Sequence, residues 1–313
     1  METIDIAVIG GGPAGLTAAL YASRARAKTV VFETALPGGQ IMTTDWVENY
    51  PAFPEGISGA ELGELMHRQA VQFGAEFRTF ASIESIVPQG LDFVLTDSEG
   101  ETLLARSVIL ATGAVPKRLD VPGEAEYTGH GVSWCATCDG ALFRGKTVAV
   151  VGGGDAAAEE ALFLTKFAKK VYIIHRRDEL RATKCIQERC FDNDHIELKW
   201  SRVIREVKGE NGKVVGLDLQ ATNDDPDEVL SLDGVFIFVG VEPKSALVAD
   251  LCDLDAGGYV KIDPDGLTSY PGLYAAGDVT VGALKQVVTA AAGGAAAAFE
   301  AVRYIDDRLC SIS

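Results

Sequence analysis

The sequence predicts an α/β protein with two units of similar organisation. Two stretches of the 313-residue chain carry this prediction. In each, an apolar strand runs into three consecutive glycines, a helical segment follows, and a second apolar strand comes next. This order places the backbone amides of a helix N-terminus where the phosphates of a dinucleotide bind. A Cys-x-x-Cys pair between the two stretches is the third informative feature.

Composition and charge exclude several classes of protein. With 47% apolar residues, the chain is long enough for two domains with apolar cores. Its formal net charge of −17 argues against nucleic acid and anionic membranes as partners, because either would be repelled over most of the surface. No run of 18 uncharged apolar residues is present, and no basic segment precedes the strand pattern at residues 5–9. Six cysteines are too few for a disulfide scaffold, so we expect a cytoplasmic protein.

The first glycine fingerprint follows the strand at residues 5–9. Its first glycine permits a tight turn, its second lets a pyrophosphate approach the backbone, and its third allows close helix packing. A second strand ends in Glu33, 21 residues past Gly12, where a carboxylate would hold ribose hydroxyls. A structural glycine-rich turn is the alternative. The candidate contacts in this fingerprint are Gly10, Gly12, Pro13, Ala14 and Gly15.

The second fingerprint differs from the first in the charge that follows it. Counting 21 residues from its third glycine leads to His175, and two arginines follow directly. Cations pair with a ribose 2′-phosphate, which a carboxylate would repel. The alternative is a solvated basic surface run. The candidate contacts are Gly152, Gly154, Asp155, Ala156, Ala157, His175, Arg176, Arg177 and Arg181. One site therefore suits a ribose with free hydroxyls and the other a phosphorylated ribose, which FAD and NADPH fit.

The Cys-x-x-Cys pair consists of Cys135 and Cys138 and is followed by Asp139. A dithiol between two dinucleotide sites is typical of a redox relay, and Asp139 is a candidate proton carrier. The alternative is a zinc site, which would need two more ligands at short spacing. The next cysteines, Cys185 and Cys190, do not provide that pattern, so we expect no metal.

Together, the two fingerprints, the motif at 135–139 and the cations at 175–181 resemble bacterial-type, low-molecular-weight thioredoxin reductases. The resemblance extends from end to end, because further segments match flavin-contacting motifs of that family in order. It implies additional FAD contacts from Gly39, Gln40, Asn49, Thr112, Gly113, Gly277, Asp278, Lys285, Gln286 and Val287. Lys285 stands where the family usually has arginine, and lysine keeps the charge but lacks the planar fork.

The resemblance also implies an architecture of two Rossmann-like three-layer nucleotide-binding domains. The FAD domain is expected to be discontinuous, formed by residues 1–115 and 244–313. The NADPH domain, residues 116–243, is expected to be inserted into it and to carry the redox motif. A rotation about the two connecting strands would exchange the nicotinamide and the dithiol at the flavin.

The activity implied by the resemblance is that of a thioredoxin-disulfide reductase. Electrons would pass from NADPH through FAD to the Cys135–Cys138 disulfide and then to thioredoxin. Cys138 would face the flavin, Cys135 would attack the partner disulfide, and Asp139 would manage the proton. A homodimer is implied as well.

Three other functions are open from the sequence. The chain could reduce a small disulfide, or it could be a dithiol oxidase that passes electrons to oxygen. The intact cations at 175–181 weigh against the oxidase, which would not need NADPH. A non-catalytic flavin redox sensor is the third possibility, although no added effector segment supports it.

The segment after the redox motif departs from the family pattern. Many relatives carry two adjacent aromatic residues there, in a patch that helps to dock thioredoxin. This chain has Ala141, Leu142 and Phe143 instead. Because aromatic anchors usually dominate small interfaces, we expect either that Phe143 carries more of the thioredoxin contact or that the partner is fitted to this altered surface.

Overall fold

The structure, a computed structural model, describes residues 1–44 and 46–312. The strands, in chain order, are β1 (Glu2–Ile9), β2 (Thr29–Glu33), β3 (Glu76–Thr79), β4 (Ile83–Gln89), β5 (Asp92–Asp97), β6 (Thr102–Leu110), β7 (Ala114–Pro116), β8 (Val132–Ser133), β9 (Thr147–Val151), β10 (Lys170–Ile174), β11 (Ile196–Lys199), β12 (Arg202–Glu210), β13 (Lys213–Ala221), β14 (Glu228–Ser231), β15 (Gly234–Ile237), β16 (Val241–Pro243) and β17 (Leu273–Ala275). The α-helices are α1 (Pro13–Arg24), α2 (Gly59–Gln72), α3 (Ala136–Asp139), α4 (Asp155–Leu164), α5 (Lys184–Phe191) and α6 (Val287–Ile312). Short 3₁₀ turns lie at Gly39–Thr43, Gly140–Phe143, Ala246–Val248 and Gly277–Val279.

The chain divides into two compact units. Unit 1 consists of Met1–Val115 and Glu242–Ser313, and unit 2 consists of Pro116–Val241. The chain returns to unit 1 at Glu242, two residues before the boundary expected from the sequence. Strands β7 and β16 pair with each other where the chain crosses.

The main sheet of unit 1 has seven strands, in the order β3-β2-β1-β6-β5-β4, with β17 also paired to β6. Strands β1, β2, β3, β6 and β17 are mutually parallel. Strand β5 is antiparallel to both of its neighbours, β4 and β6. The central strands β1 and β6 end in buried apolar runs, residues 6–9 and 108–110, because a parallel sheet is covered on both faces.

Residues of β1 enter two cores in unit 1. Ala7 and Ile9 lie in one core, and Ile6 and Val8 lie in the other, against α1 and α6. Helices α1 and α6 approach closely at Gly294, where a Cβ would lie 2.0 Å from the Ala14 carbonyl oxygen. This approach brings α6 to the beginning of α1, directly beside the first glycine fingerprint.

Unit 2 contains a five-stranded parallel sheet, in the order β11-β10-β9-β15-β8, and a three-stranded antiparallel sheet, β12-β13-β14. Alternate residues of β9 face opposite sides. Val148 and Val150 pack against α4, and Ala149 and Val151 pack in the core shared with the antiparallel sheet. The predicted α/β class with two Rossmann-like units is confirmed.

Within residues 1–44 and 46–312, no helix combines the length and the apolar character that crossing a membrane would require.

Candidate active site

The redox pair is a disulfide at the beginning of the one-turn helix α3. Cys135 and Cys138 are bonded, with their Cα atoms 5.3 Å apart. Cys135 precedes the first residue of the helix, and the backbone N–H of Cys138 donates to Cys135 Sγ at 3.1 Å. Because an amide donor favours negative charge on its acceptor, this contact would stabilise a thiolate at Cys135 after reduction.

Ser133, the last residue of β8, connects the disulfide to Asp139. Its hydroxyl donates to Asp139 Oδ2 at 2.6 Å and accepts the backbone N–H of Cys135 at 3.0 Å. Ser133 is only 6% exposed, so this hydrogen bond to the carboxylate is shielded from water. The sequence prediction did not include Ser133. A serine two residues before the first cysteine was an available signal, because serine hydroxyls commonly bind a backbone N–H two residues on.

The first fingerprint contains one glycine that protein packing does not explain. A Cβ at Gly10 would lie 2.4 Å from the Ala111 carbonyl oxygen, and a Cβ at Gly15 would lie 1.8 Å from the Gly10 carbonyl oxygen. Gly12 has an ordinary φ of −77°, and its Cβ would meet only the Gly39 Cα, at 3.9 Å. The open space at Gly12, at the N-terminus of α1, fits the close approach of a pyrophosphate.

Other predicted flavin contacts converge on this helix end. A Cβ at Gly39 would lie 2.8 Å from the Gly12 Cα, and a Cβ at Gly277 would lie 2.9 Å from the Ala14 Cβ. Glu33 Oε2 accepts the N–H of Gly11 at 2.6 Å, which places the carboxylate at the same loop.

The structure also brings together residues that are far apart in the chain. Asn49 Nδ2 donates to Gln286 Oε1 at 2.9 Å, across a separation of 237 residues. Gln40 Nε2 donates to the Ala114 carbonyl at 2.5 Å. Thr112 Oγ1 donates to the Lys244 carbonyl at 2.5 Å. Val287 is the first residue of α6.

Asp278 is half-buried, and burial raises the pKa of its carboxyl group, while the positive charge of Lys285 opposes this shift. The described residues, 1–44 and 46–312, show no hydrogen-bond partner for this carboxylate. A half-buried acceptor without a partner fits a site for a ligand hydroxyl. Lys285 has a positive φ of 58°, and its ammonium lies 5.7 Å from the centre of the Tyr259 ring.

The second fingerprint shows the same pattern as the first. A Cβ at Gly152 would lie 2.5 Å from the Phe238 carbonyl oxygen, whereas a Cβ at Gly154 would meet no atom within 4 Å. The open glycine again directly precedes a helix, since α4 begins at Asp155. Asp155 Oδ1 accepts the N–H of Thr183 at 2.6 Å. The next two predicted contacts differ in exposure, since Ala156 is exposed and Ala157 is buried.

His175 does not supply the positive charge that the sequence prediction assigned to it. The ring is 6% exposed and lies directly against Gly153, where a Cβ would be 2.3 Å from it. Burial lowers the pKa of His175, and the charges of Arg181, Arg177 and Arg176 lower it further. The imidazole is therefore neutral at pH 7, because its ordinary pKa is already below 7.

The charge of this site comes from the three arginines, all of which are exposed. Arg176 and Arg177 follow β10, after His175. The backbone N–H of Arg181 donates to the Gly153 carbonyl at 2.6 Å, which holds that arginine beside the fingerprint.

The prediction that Phe143 is a docking residue is wrong in this structure. Phe143 is 7% exposed and packs edge-on against Phe236, with the ring centres 5.2 Å apart. A Cβ at Gly234 would lie 2.2 Å from the Phe143 ring, so the ring fills the space above that glycine. The exposed apolar side chain of this turn is Leu142, at 47%.

We therefore expect Phe143→Ala to destabilise the protein rather than to weaken docking selectively. Removing a buried phenylalanine costs about 3–5 kcal/mol, because transfer energy is lost and a cavity remains. Denaturant unfolding followed by circular dichroism measures this loss. Leu142→Ala is the matched control, and its effect should stay below about 1 kcal/mol. An unchanged unfolding midpoint for Phe143→Ala would show that the ring does not support the core.

Among residues 1–44 and 46–312, no group of three or more His, Cys, Asp or Glu side chains is arranged to hold a metal ion. Unit 2 contains the disulfide with its linked carboxylate, and each unit contains one glycine loop that leaves open space at a helix N-terminus.

The chain is similar to known proteins over nearly its whole length. A family model described as pyridine nucleotide-disulphide oxidoreductase matches residues 4–294. A thioredoxin reductase of Listeria monocytogenes is 43% identical over 303 residues, which cover 97% of this chain and 94% of that protein. A bifunctional thioredoxin reductase/thioredoxin of Mycobacterium leprae is 48% identical over 306 residues, which cover 97% of this chain and 66% of that protein.

A solved structure gives the same result. The thioredoxin reductase from Streptococcus pyogenes MGAS5005 matches with a TM-score of 0.93 and 41% sequence identity, covering 97% of this chain and 99% of that one. The chain therefore belongs to the pyridine nucleotide-disulphide oxidoreductase family and, within it, to the thioredoxin reductases.

Proposed function

We propose that this protein is a thioredoxin-disulfide reductase that carries two electrons from NADPH, by way of FAD and the Cys135–Cys138 disulfide, to oxidised thioredoxin. The observation that carries the proposal is the linked redox group. Ser133 holds Asp139 and the Cys135 amide together, and Cys135 Sγ receives a hydrogen bond from the Cys138 amide. A purely structural disulfide would not need a carboxylate held beside it.

Unit 1 would hold FAD. The pyrophosphate would lie at the open glycine, Gly12, on the N-terminus of α1, and Glu33 would face the ribose. Asp278 would bind a hydroxyl of the ligand, which would give its half-buried carboxylate a partner. When bound, FAD supplies the two-electron carrier between the nicotinamide and the disulfide.

Unit 2 would hold NADPH. Gly154 and the N-terminus of α4 would receive the pyrophosphate, and Arg176, Arg177 and Arg181 would bind the 2′-phosphate. The neutral His175 would support the loop through its contact with Gly153. The feature that supports NADPH over NADH is three exposed arginines, one of which is hydrogen-bonded to the Gly153 carbonyl through its backbone.

The proposed reduction of thioredoxin consists of two successive thiol–disulfide exchanges. In the reduced protein, the Cys135 thiolate attacks one sulfur of the thioredoxin disulfide, and the other thioredoxin sulfur leaves as a thiolate. Cys138 then attacks Cys135 Sγ, which restores the Cys135–Cys138 disulfide and releases the second thioredoxin sulfur. The two departing thiolates take up the two protons that the Cys135 and Cys138 thiols have lost, and Asp139 would accept and pass on the proton of Cys138.

The surroundings of Cys135 support the role proposed for it. The amide hydrogen bond stabilises negative charge on Cys135, which makes it the attacking sulfur. Cys138 would face the flavin. We further propose that the protein works as a homodimer in the cytoplasm, where a reducing compartment suits a disulfide that must be reduced in every cycle.

One spectroscopic experiment tests the proposed function. NADPH should bleach the flavin absorbance of the purified FAD-bound protein under anaerobic conditions, and oxidised thioredoxin should restore it. If oxygen restores the absorbance as fast as thioredoxin does, the protein is an oxidase. If only a small disulfide restores it, thioredoxin is not the substrate. Bleaching that no disulfide reverses would identify a sensor instead of a reductase.

A further inference from the structure

Four positively charged side chains lie on two neighbouring backbone segments of unit 2. Arg144 and Lys146 follow the redox turn, and Lys166 and Lys169 follow α4. The backbone N–H of Lys169 donates to the Lys146 carbonyl at 2.9 Å, which holds the two segments side by side. All four side chains are exposed. We call Arg144, Lys146, Lys166 and Lys169 the cationic patch.

The cationic patch is not neutralised by the protein itself. In the part of the chain that the structure describes, none of its four residues forms an ion pair within 4.0 Å. A carboxylate does lie nearby, but Asp233 Oδ2 accepts the backbone N–H of Thr147 at 2.8 Å. By contrast, Lys170 and Lys199 in the same unit both pair with Glu197. Four unpaired cations in one place are notable in a chain whose net charge is −17.

Two of the patch ammonium groups lie over aromatic rings. Lys146 Nζ is 5.3 Å from the centre of the Phe143 ring, and Lys166 Nζ is 5.0 Å from the centre of the Phe163 ring. Such contacts favour a defined ammonium position without cancelling its charge. The charges therefore stay available to a partner.

The cationic patch lies close to the redox pair along the chain. The single turn Gly140–Phe143 separates Cys138 from Arg144. A helical rise of about 1.5–2 Å per residue places the two ends of this connection roughly 10 Å apart. A standard interface buries about 800 Å² on each partner, which corresponds to a circle with a radius of about 16 Å. An interface centred on the redox pair is therefore wide enough to reach the exposed Leu142 and the beginning of the cationic patch.

We propose that the cationic patch, together with Leu142, is the docking surface for a protein whose disulfide is surrounded by Asp and Glu side chains. This inference rests on the proposed function and adds the charge that the protein substrate must carry. Opposite charges at the rim of an interface raise the association rate, and salt screens the effect. The patch replaces Phe143 as the predicted docking element.

The test uses the FAD-bound protein at saturating NADPH. Lys146→Glu/Lys169→Glu reverses two patch charges, and Lys213→Glu/Lys261→Glu is the control, because it changes the net charge equally at exposed lysines elsewhere. Each protein is assayed with an acidic thioredoxin and with a form of it whose Asp and Glu residues around the disulfide are changed to Asn and Gln. Rates are measured at about 10 mM and about 0.5 M salt.

We expect the patch variant to lose about tenfold to a hundredfold in kcat/KM for the acidic thioredoxin at low salt, and about twofold at high salt. The control variant should stay within about threefold of the wild-type kcat/KM for the acidic thioredoxin. With the neutralised thioredoxin, the patch variant and the wild-type protein should differ by less than about threefold in kcat/KM. Flavin bleaching by NADPH should be unchanged in all proteins. Equal losses in patch and control variants would overturn the inference. So would a change in oligomeric state of the patch variant, which would assign the patch to an interface between copies of this chain. If the wild-type protein bleaches with NADPH but reduces neither thioredoxin, the proposed function itself fails.

Discussion

Cys138→Ser lowers thioredoxin reduction to less than about a thousandth of the wild-type rate, because the variant cannot form the Cys135–Cys138 disulfide that carries the electrons. Flavin bleaching by NADPH continues at the wild-type rate, since hydride transfer to the flavin precedes the dithiol step. NADPH-coupled thioredoxin turnover and stopped-flow absorbance measure the two steps separately. Cys135→Ser gives the same loss of turnover.

The two cysteine variants differ in one further measurement. Cys138→Ser leaves the attacking sulfur of Cys135 in place but removes the sulfur that would release the partner. It should therefore trap a mixed disulfide with thioredoxin on a non-reducing gel, and Cys135→Ser should not. Cys185→Ser, at an exposed cysteine of α5, is the matched control and should keep full turnover. Near-normal turnover of Cys138→Ser would refute the electron path.

Arg176→Gln/Arg177→Gln raises the KM for NADPH by roughly 10- to 150-fold, because a lost charge-assisted contact to the 2′-phosphate costs on the order of 1.5–3 kcal/mol. The KM for NADH should change much less, since NADH has no 2′-phosphate. Steady-state kinetics with both nucleotides measure the difference.

A control in the same unit separates this effect from a general loss of positive charge. Arg189→Gln, at an exposed position of α5, should leave both KM values within about twofold. If the KM of the double variant rose equally for NADPH and for NADH, the arginines would be a solvated surface run without a binding role.

Local patterns in the sequence were sufficient for the fold class and for the family. An apolar strand, a glycine turn and a helix form a continuous segment whose backbone geometry depends on its own residues. The packed glycines, Gly10, Gly15 and Gly152, occupy positions where a Cβ would collide with a backbone carbonyl. The Cys-x-x-Cys spacing was also enough to predict the disulfide, because both cysteines lie within one turn.

The environment of individual side chains could not be predicted in this way. Phe143 and Leu142 are adjacent apolar residues in one turn, yet the first fills the space above Gly234 and the second is exposed. Which of them is buried depends on β15, about 90 residues later in the chain. The sequence therefore indicated an exposed apolar residue near the redox pair, but the prediction named the buried Phe143 instead of Leu142.

Charge and hydrogen bonding were decided by the tertiary structure as well. His175 belongs to a cationic run in the sequence, but its ring is enclosed against Gly153 and burial keeps it neutral. Ser133 becomes informative only when its hydroxyl is seen between Asp139 and the Cys135 amide.

The sequence by itself determined the positions of the two glycine turns and of the redox disulfide, because those features depend on glycine conformation and on spacing within one turn. The tertiary structure alone decided which side chains near them are exposed, charged or linked. It placed Asn49 beside Gln286 across 237 residues, and it brought Lys146 next to Lys169. Burial and electrostatics depend on neighbours from distant parts of the chain, and no local pattern specifies those neighbours.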